Sequence, residues 1–147
     1  MTTAFTIRLL AWSEALPLAR PVREKVFIDE QRVPLDLEWD EWDERCDHAV
    51  ACDPHGHAIG TARLSPDGKL GRMAVLREWR GLGVGAALLK ALLGRARERS
   101  MARVTLHAQT RAVGFYRRFG FSERGGEFFE AGIPHREMTL ELSPAPA

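Results

Sequence analysis

The chain has 147 residues, of which 45% are hydrophobic and 28% charged, and its formal net charge is +1. This composition is typical of one soluble globular domain, excludes a disordered chain, and does not indicate nucleic-acid binding. The sequence shows neither an apolar run as long as a membrane-spanning helix nor a signal-peptide pattern, and two cysteines are too few for a disulfide scaffold. We therefore expect one domain over residues 1–143 with a frayed tail at 144–147, in the cytoplasm, with both thiols inert and no membrane or nucleic-acid partner.

Alternating and helical patterns of apolar residues predict six strands and three helices. The predicted strands cover residues 5–9, 48–52, 58–64, 69–76, 102–108 and 135–142. The predicted helices cover residues 16–31, 86–99 and 110–118. Ser13 is the expected N-cap of the first helix, with a break or restart near Pro17 and Pro21. The order predicts an α/β, or α+β layered, domain with a mixed sheet.

Three glycines, Gly81, Gly83 and Gly85, stand between an apolar strand and a helical run. Such a turn places bare backbone N–H groups at a helix N-terminus, where they bind an anion such as a pyrophosphate. A P-loop would need Lys and Ser or Thr after the last glycine, where this chain has two alanines. A dinucleotide fold would need a carboxylate at the end of the next strand, and residues 105–108 contain none. A helix start without a ligand is the remaining alternative, at an entropic cost for three glycines.

Two sequence blocks together are more specific than the glycine loop alone. Residues 80–86 (RGLGVGA), after Met73-Ala-Val75, resemble the acetyl-CoA signature of the GNAT family of N-acetyltransferases. Residues 112–121 (AVGFYRRFGF) resemble the segment of that family whose tyrosine faces the coenzyme sulfur. Further similarity within residues 26–48 and 130–135 resembles the small bacterial ElaA-like branch.

The resemblance implies a GNAT-like acyl-CoA N-acyltransferase fold, with a mixed, mostly antiparallel sheet flanked by helices. The implied activity is transfer of an acetyl group from acetyl-CoA to a primary amine, on a small molecule or a peptide, by direct attack in a ternary complex. Because the strand before the glycine loop carries no carboxylate that could act as a base, a catalytically silent acyl-CoA-binding module that senses or regulates is the alternative.

The resemblance also assigns residues to coenzyme A, with acetyl-CoA as co-substrate and no metal. Backbone N–H groups of residues 82–86 would hold the pyrophosphate, and backbone groups of Met73 and Val75 would pair with the pantetheine arm. An N–H near Val75 would also donate to the thioester oxygen. The predicted coenzyme-binding residues are Met73, Ala74, Val75, Arg80, Gly81, Leu82, Gly83, Val84, Gly85, Ala86, Gln109, Ala112 and Phe115. Gln109 has the alternative interpretation of a polar group at a helix N-terminus.

Tyr116, the only tyrosine, is the predicted donor that protonates or hydrogen-bonds the departing thiolate. The general base is open: the candidates are Glu30, His107, His135, His48 and ordered water. A histidine suits the task because its pKa lies near neutrality, and His107 stands at the end of the strand that follows the coenzyme helix. We predict Tyr116, His107 and Glu30 as catalytic residues.

Residues 36–47 contain seven acids and one arginine, which form either a solvated face or an attraction for a cationic amine. Two tryptophans within this segment favour a role in a pocket. The predicted substrate-binding residues are Trp39, Asp40, Trp42 and His135. An opposite, basic set either meets the coenzyme 3′-phosphate or forms an exposed helix face; it comprises Arg111, Arg117, Arg118 and Arg124. A homodimer is compatible with the sequence, since sheet edges and a strand near residues 127–133 could pair.

Overall fold

The computed structural model describes residues 4–33 and 40–142. It contains seven strands: β1 (Thr6–Leu10), β2 (Asp47–Cys52), β3 (Ala58–Leu64), β4 (Lys69–Val75), β5 (Arg103–Gln109), β6 (Ser122–Glu130) and β7 (Ile133–Glu141). They form one sheet in the order β1-β2-β3-β4-β5-β7-β6, in which β4 and β5 are the only parallel neighbours within the described chain. A mixed, mostly antiparallel sheet flanked by helices is the predicted fold class, which is confirmed.

The helices are α1 (Trp12–Arg23), which continues into a π-helical segment (Glu24–Glu30), α2 (Val84–Glu98) and α3 (Val113–Arg117). Three short 3-10 segments cover Glu41–Arg45, Arg77–Trp79 and Thr110–Ala112. Of the helices in the described ranges, none combines the length and apolarity that a membrane crossing requires.

The two longer helices cover opposite faces of the sheet. Ala49 and Ala51 of β2 share a core cluster with the buried leucines of α2, whereas Val50 packs with Ala15 of α1. This division follows from the alternation of side chains along a strand. Gly60 of β3 allows α2 to lie close to the sheet, because a Cβ there would stand 2.9 Å from Val84 Cγ1. The packing therefore holds the start of α2 tightly against β3.

The first helix differs from its prediction at its start. Ala11, not Ser13, occupies the cap position, and no side chain caps the helix, so the predicted N-cap is wrong. Pro17 and Pro21 lie inside α1 instead of breaking it. Each removes one backbone donor, and burial of the face that carries Ala15 compensates for the lost bonds. The end of the helical run at residue 30 agrees with the predicted boundary to within a residue.

The first part of β6, residues 122–126, was not predicted from the pattern of apolar residues. Gly125 and Gly126 lie within this strand, and glycine lowers the intrinsic preference of a segment for strand conformation. The strand nevertheless pairs with β7 from Ser122 to Glu130, with a register shift between Arg124 and Phe128. Pairing with a regular neighbour thus overrides a weak local preference.

The two cysteines, Cys46 and Cys52, are buried and not joined in a disulfide. Burial raises the pKa of Cys46 to about 11 and raises the pKa of Cys52 as well. Because the thiolate is the reactive form, both side chains are poor nucleophiles in the folded protein.

Candidate functional site

A gap opens in the sheet where its two parallel strands diverge. Within the described chain, β4 and β5 share only two residue pairs, the second of which joins Leu70 to Leu106. The register of β4 with β3 shifts around Arg72, which has a positive φ of 49°. Such a bulge bends a strand and redirects its backbone groups. The carboxyl ends of the two strands, at Val75 and Gln109, therefore stand on either side of the gap.

The backbone of Val75 faces this gap. The N–H of Leu76 donates to the carbonyl of Ile59 on β3, at 2.9 Å. Because successive residues of a strand present their polar groups to alternate edges, the N–H and C=O of Val75 point to the other side. The carbonyl of Val75 accepts a bond of 2.9 Å from Arg80 Nε. The N–H predicted to donate to a thioester oxygen is thus on the edge that borders the gap.

The glycine loop ends in three backbone amides that have no partner in the described part of the chain. Gly81 and Gly83 have φ of 77° and 88°, a conformation that favours glycine. Among the described residues, no backbone carbonyl accepts a hydrogen bond from Val84, Gly85 or Ala86, and no side chain caps α2. Free amides at the N-terminus of a 15-residue helix fit an anion such as the diphosphate of coenzyme A.

Five predicted residues meet beside this loop. A Cβ placed on Gly85 would lie 3.7 Å from Phe115 Cζ, 3.8 Å from Met73 Sδ and 3.9 Å from Val75 Cγ2. The hydroxyl of Tyr116, on α3, donates to Met73 Sδ at 3.7 Å. The structure therefore brings the glycine loop, β4 and the lone tyrosine together, although they are separated in the sequence.

The Tyr116 phenol is set up as a hydrogen-bond donor. Its side chain is buried, and burial raises the pKa of Tyr116 to about 12, so that it stays protonated at neutral pH. Its acceptor, the thioether of Met73, is a weak one. A stronger acceptor near that position, such as a thiolate, would take the hydrogen bond in place of Met73.

The remaining predicted coenzyme residues are placed less uniformly. Leu82 is 42% exposed at the tip of the loop, whereas Val84 is buried against Gly60. Ala74 packs towards α1, on the face opposite α2, so its side chain does not border the loop. Ala112 packs against the main core cluster.

A cavity of about 490 Å³ lies at the carboxyl ends of β4 and β5. It is lined by Glu30, Gln31, Arg77, Arg80, Gln109, Thr110, Arg111, Ile133 and Pro134. Four separate parts of the chain therefore contribute to one cavity. The lining includes Gln31, Arg77, Thr110, Ile133 and Pro134, which were not among the predicted site residues. Gln31, Ile133 and Pro134 fall in the segments that resemble the ElaA-like branch, whereas no motif or periodicity distinguishes Arg77 and Thr110.

Glu30 is the only proposed base that lines this cavity among the residues the structure describes. Its Oε2 accepts a bond of 2.8 Å from Arg80 and lies 3.8 Å from Arg77. The π-helical segment that ends at Glu30 carries it over the ends of the strands. Next to it, Gln109 Nε2 donates to Gln31 Oε1 at 3.0 Å, which ties this segment to β5.

The two histidines of β5 and β7 belong to a neighbouring cluster that does not line the cavity. His107 Nδ1 donates to Glu130 Oε1 at 2.5 Å, and its ring meets Phe128 edge-on. His135 is buried, and its Nδ1 donates to the carbonyl of Ile133 at 2.7 Å. His107 and His135 therefore lie together, but apart from Glu30.

Two acids of the acidic segment, Asp40 and Asp43, are held in a partly buried network of ion pairs. Arg63 binds both oxygens of Asp40, at 2.6 and 2.8 Å, and Arg72 reaches Asp40 at 3.2 Å. Asp43 binds Arg23 at 2.8 and 3.2 Å and Arg63 at 2.9 Å. Burial alone would raise the pKa of Asp40, but the guanidinium of Arg63, with smaller effects of Arg72 and a backbone amide, holds it below 3.8. An amine would have to displace an arginine to reach Asp40.

The other residues predicted around the acceptor lie elsewhere. Trp39 is outside the described residues. Trp42 is 39% exposed, stacks with Arg45 and does not line the cavity. His48 is buried, stacks on Trp12, and has Nε2 2.8 Å from the carbonyl of Asp43. Burial lowers the pKa of His48, so this ring is neutral at neutral pH.

Within the basic set, Arg117 pairs with Glu123, and Arg124 Nε donates to Thr139 at 3.1 Å. Arg111 differs from both in lining the cavity. The sequence analysis grouped these arginines as one basic set, but in the structure only Arg111 of the set lines the cavity.

Residues 19–142 match the family model described as the acetyltransferase (GNAT) domain. The chain belongs to the GNAT acetyltransferase family. It is 40% identical to the uncharacterized N-acetyltransferase YjcF of Bacillus subtilis over 131 residues, which cover 85% of this chain and 91% of that protein.

Solved structures agree with the assignment to the GNAT family. An acyl-CoA N-acyltransferase from Pseudomonas aeruginosa superposes with a TM-score of 0.83 at 26% identity, covering 92% of this chain and 99% of that one. Escherichia coli ElaA superposes with a TM-score of 0.83 at 26% identity, covering 94% of this chain and 100% of that one. The predicted resemblance to the GNAT family and to ElaA is therefore confirmed.

Proposed function

We propose that this GNAT protein transfers an acetyl group from acetyl-CoA to a primary amine by direct attack in a ternary complex. The observation that carries the proposal is the convergence at β4: the free α2 amides, the open edge at Val75 and the Tyr116 hydroxyl all border it. Membership of the GNAT acetyltransferase family, together with this geometry, supports a CoA thioester as the acyl donor. The fit rests on groups of this chain: unpaired amides for a diphosphate, and an open strand edge for an extended arm.

Acyl transfer to an amine requires a neutral nucleophile, a polarised carbonyl and a stabilised leaving thiolate. The Val75 N–H would donate to the thioester oxygen as negative charge develops on it. The Tyr116 O–H would donate to the departing sulfur. Proton transfer from a phenol of pKa about 12 to the thiolate of an ordinary thiol, pKa about 8.5, is uphill by about 5 kcal/mol. Tyr116 therefore stabilises the thiolate chiefly by hydrogen bonding.

Glu30 would accept the proton that the amine loses, directly or through a water molecule. Its support is position: it lines the cavity next to the gap, while His107 is bonded to Glu130 in a separate cluster. The variants Glu30→Gln and His107→Gln compare the two predicted bases. We expect Glu30→Gln to lower kcat more strongly and to alter the pH profile. A larger effect of His107→Gln would assign the base to His107 instead.

The test of the proposal is a thiol-release assay with acetyl-CoA and a panel of primary amines. We expect turnover with at least one amine, and a loss of about 100-fold in kcat for Tyr116→Phe with little change in coenzyme affinity. An unchanged rate would remove Tyr116 from the mechanism. Tight acetyl-CoA binding without thiol release for any amine would refute catalysis and favour the silent acyl-CoA-binding module.

A further inference from the structure

The cavity at the ends of β4 and β5 carries an excess of positive charge. Of the described residues that line it, Arg77, Arg80 and Arg111 are basic and only Glu30 is acidic. Glu30 is already paired with Arg80 at 2.8 Å and lies 3.8 Å from Arg77. Its single negative charge is therefore shared between Arg80 and Arg77, and no ion pair joins it to Arg111 among the described residues.

Arg111 is the lining arginine without a described counter-ion. Its Nε donates to Gln109 Oε1 at 3.1 Å, and Gln109 is itself held by Gln31 at 3.0 Å. The nearby carboxylate of Glu127 accepts from Thr110 at 2.8 Å, and no ion pair joins it to Arg111 among the described residues. The side-chain amides of Gln31 and Gln109 thus orient the guanidinium of Arg111. The two terminal nitrogens of Arg111 have no acceptor in the described part of the chain.

We propose that the acceptor is a small amine that also bears an oxyanion, a carboxylate or a phosphate, and that Arg111 binds this group. The inference rests on the proposed acetyltransferase function. The two terminal nitrogens of a guanidinium form a planar fork that matches an oxyanion with two parallel hydrogen bonds. Glu30, the proposed proton acceptor, lines the same cavity, so the amine end of the molecule would lie towards it while the oxyanion binds Arg111. The diphosphate of the coenzyme has its own donors in the α2 amides.

The experiment compares acceptors with and without the anionic group, at equal concentrations of free amine, because the anionic group also changes the pKa of the amine. Glycine is paired with glycinamide, and phosphoethanolamine with ethanolamine, in steady-state assays at saturating acetyl-CoA. We expect kcat/KM to favour at least one oxyanion-bearing member by about tenfold, which corresponds to about 1.4 kcal/mol. The pair that shows the preference identifies the anion as carboxylate or phosphate.

Substitution of Arg111 assigns that preference to one side chain. Arg111→Gln should raise KM for the anionic acceptor about tenfold, leave its uncharged partner unchanged, and leave KM for acetyl-CoA unchanged. Arg111→Lys keeps the charge but not the fork, so it should recover the preference only in part. The control is Arg97→Gln, which removes an exposed arginine of α2 that does not line the cavity.

Three outcomes would overturn the inference. A wild-type protein that acetylates uncharged amines equally well keeps the proposed function and refutes the anionic acceptor. An Arg111→Gln variant that binds coenzyme A less tightly, but dephospho-coenzyme A normally, assigns Arg111 to the coenzyme 3′-phosphate. If no amine is acetylated, the proposed function fails. Calorimetry on the coenzyme-bound protein then measures whether glycine or phosphoethanolamine binds. Binding that Arg111→Gln abolishes supports the oxyanion site, and absence of binding refutes it.

Discussion

Removal of the Asp43 charge should destabilise the protein more than removal of any exposed carboxylate. Asp43 is 2% exposed and neutralises Arg23, which is 1% exposed, with bonds of 2.8 and 3.2 Å. It also accepts a bond of 2.9 Å from Arg63. Asp43→Asn keeps the volume but removes the negative charge between two guanidinium groups. Breaking a buried ion pair from one side costs about 3–5 kcal/mol, because a buried charge loses the carboxylate that compensates its desolvation.

We expect the lower end of this range, about 3 kcal/mol, since the asparagine oxygen still accepts a hydrogen bond. For a domain near 150 residues, this corresponds to a fall of about 6–12 °C in Tm. Urea unfolding followed by far-ultraviolet circular dichroism, with thermal scans in parallel, measures both quantities.

The matched control is Asp47→Asn, which removes the same side chain from a pair of similar geometry near the surface. Asp47 binds Arg99 at 2.6 and 2.9 Å and Arg95 at 3.0 Å, but the Arg99 side chain is 50% exposed. The Arg95 and Asp47 side chains are 27% and 19% exposed, so this cluster keeps the contact with solvent that Asp43 lacks, and we expect a smaller loss of about 1 kcal/mol. Equal losses for the two variants would refute the argument from burial, because bond lengths alone would then determine the effect.

Two further predictions concern residues beside the coenzyme loop. Because Tyr116 is the only tyrosine, its phenolate absorbance should titrate near pH 12 instead of 10, and a midpoint near 10 would contradict its burial. The free energy of unfolding should fall as pH rises from 10 towards 12, and Tyr116→Phe should remove this effect. Gly60→Ala should destabilise the protein by about 1–3 kcal/mol and weaken coenzyme binding, because the new Cβ would lie 2.9 Å from Val84 and 3.2 Å from Leu88. Urea unfolding and coenzyme titration measure the two effects, and the control is Gly71→Ala, whose Cβ would have no neighbour within 4 Å.

The elements with strong local signals could be predicted from the sequence. The glycine loop and the strand before it combine a positive-φ requirement with a continuous apolar run, and both are local properties. The first part of β6, residues 122–126, lacked such a signal because Gly125 and Gly126 lie within it, and only pairing with β7 defines it. The acidic segment was ambiguous for a different reason. Asp40 and Asp43 pair with arginines 20 to 32 positions away, and no periodicity in the sequence indicates such contacts.

The same distinction separates the two sides of the candidate site. The donor side is built mainly from backbone groups of one stretch, the loop at 81–86 and the edge of β4, so a short motif can specify it. The acceptor side is built from side chains, and the bond between Gln31 and Gln109 joins residues 78 positions apart. Backbone amides are present whatever the side chain, whereas a guanidinium fork exists only in arginine. A substitution at Arg111 should therefore alter the choice of acceptor while coenzyme binding persists. We therefore expect acceptor specificity in this chain to depend on its tertiary contacts more than on any short motif.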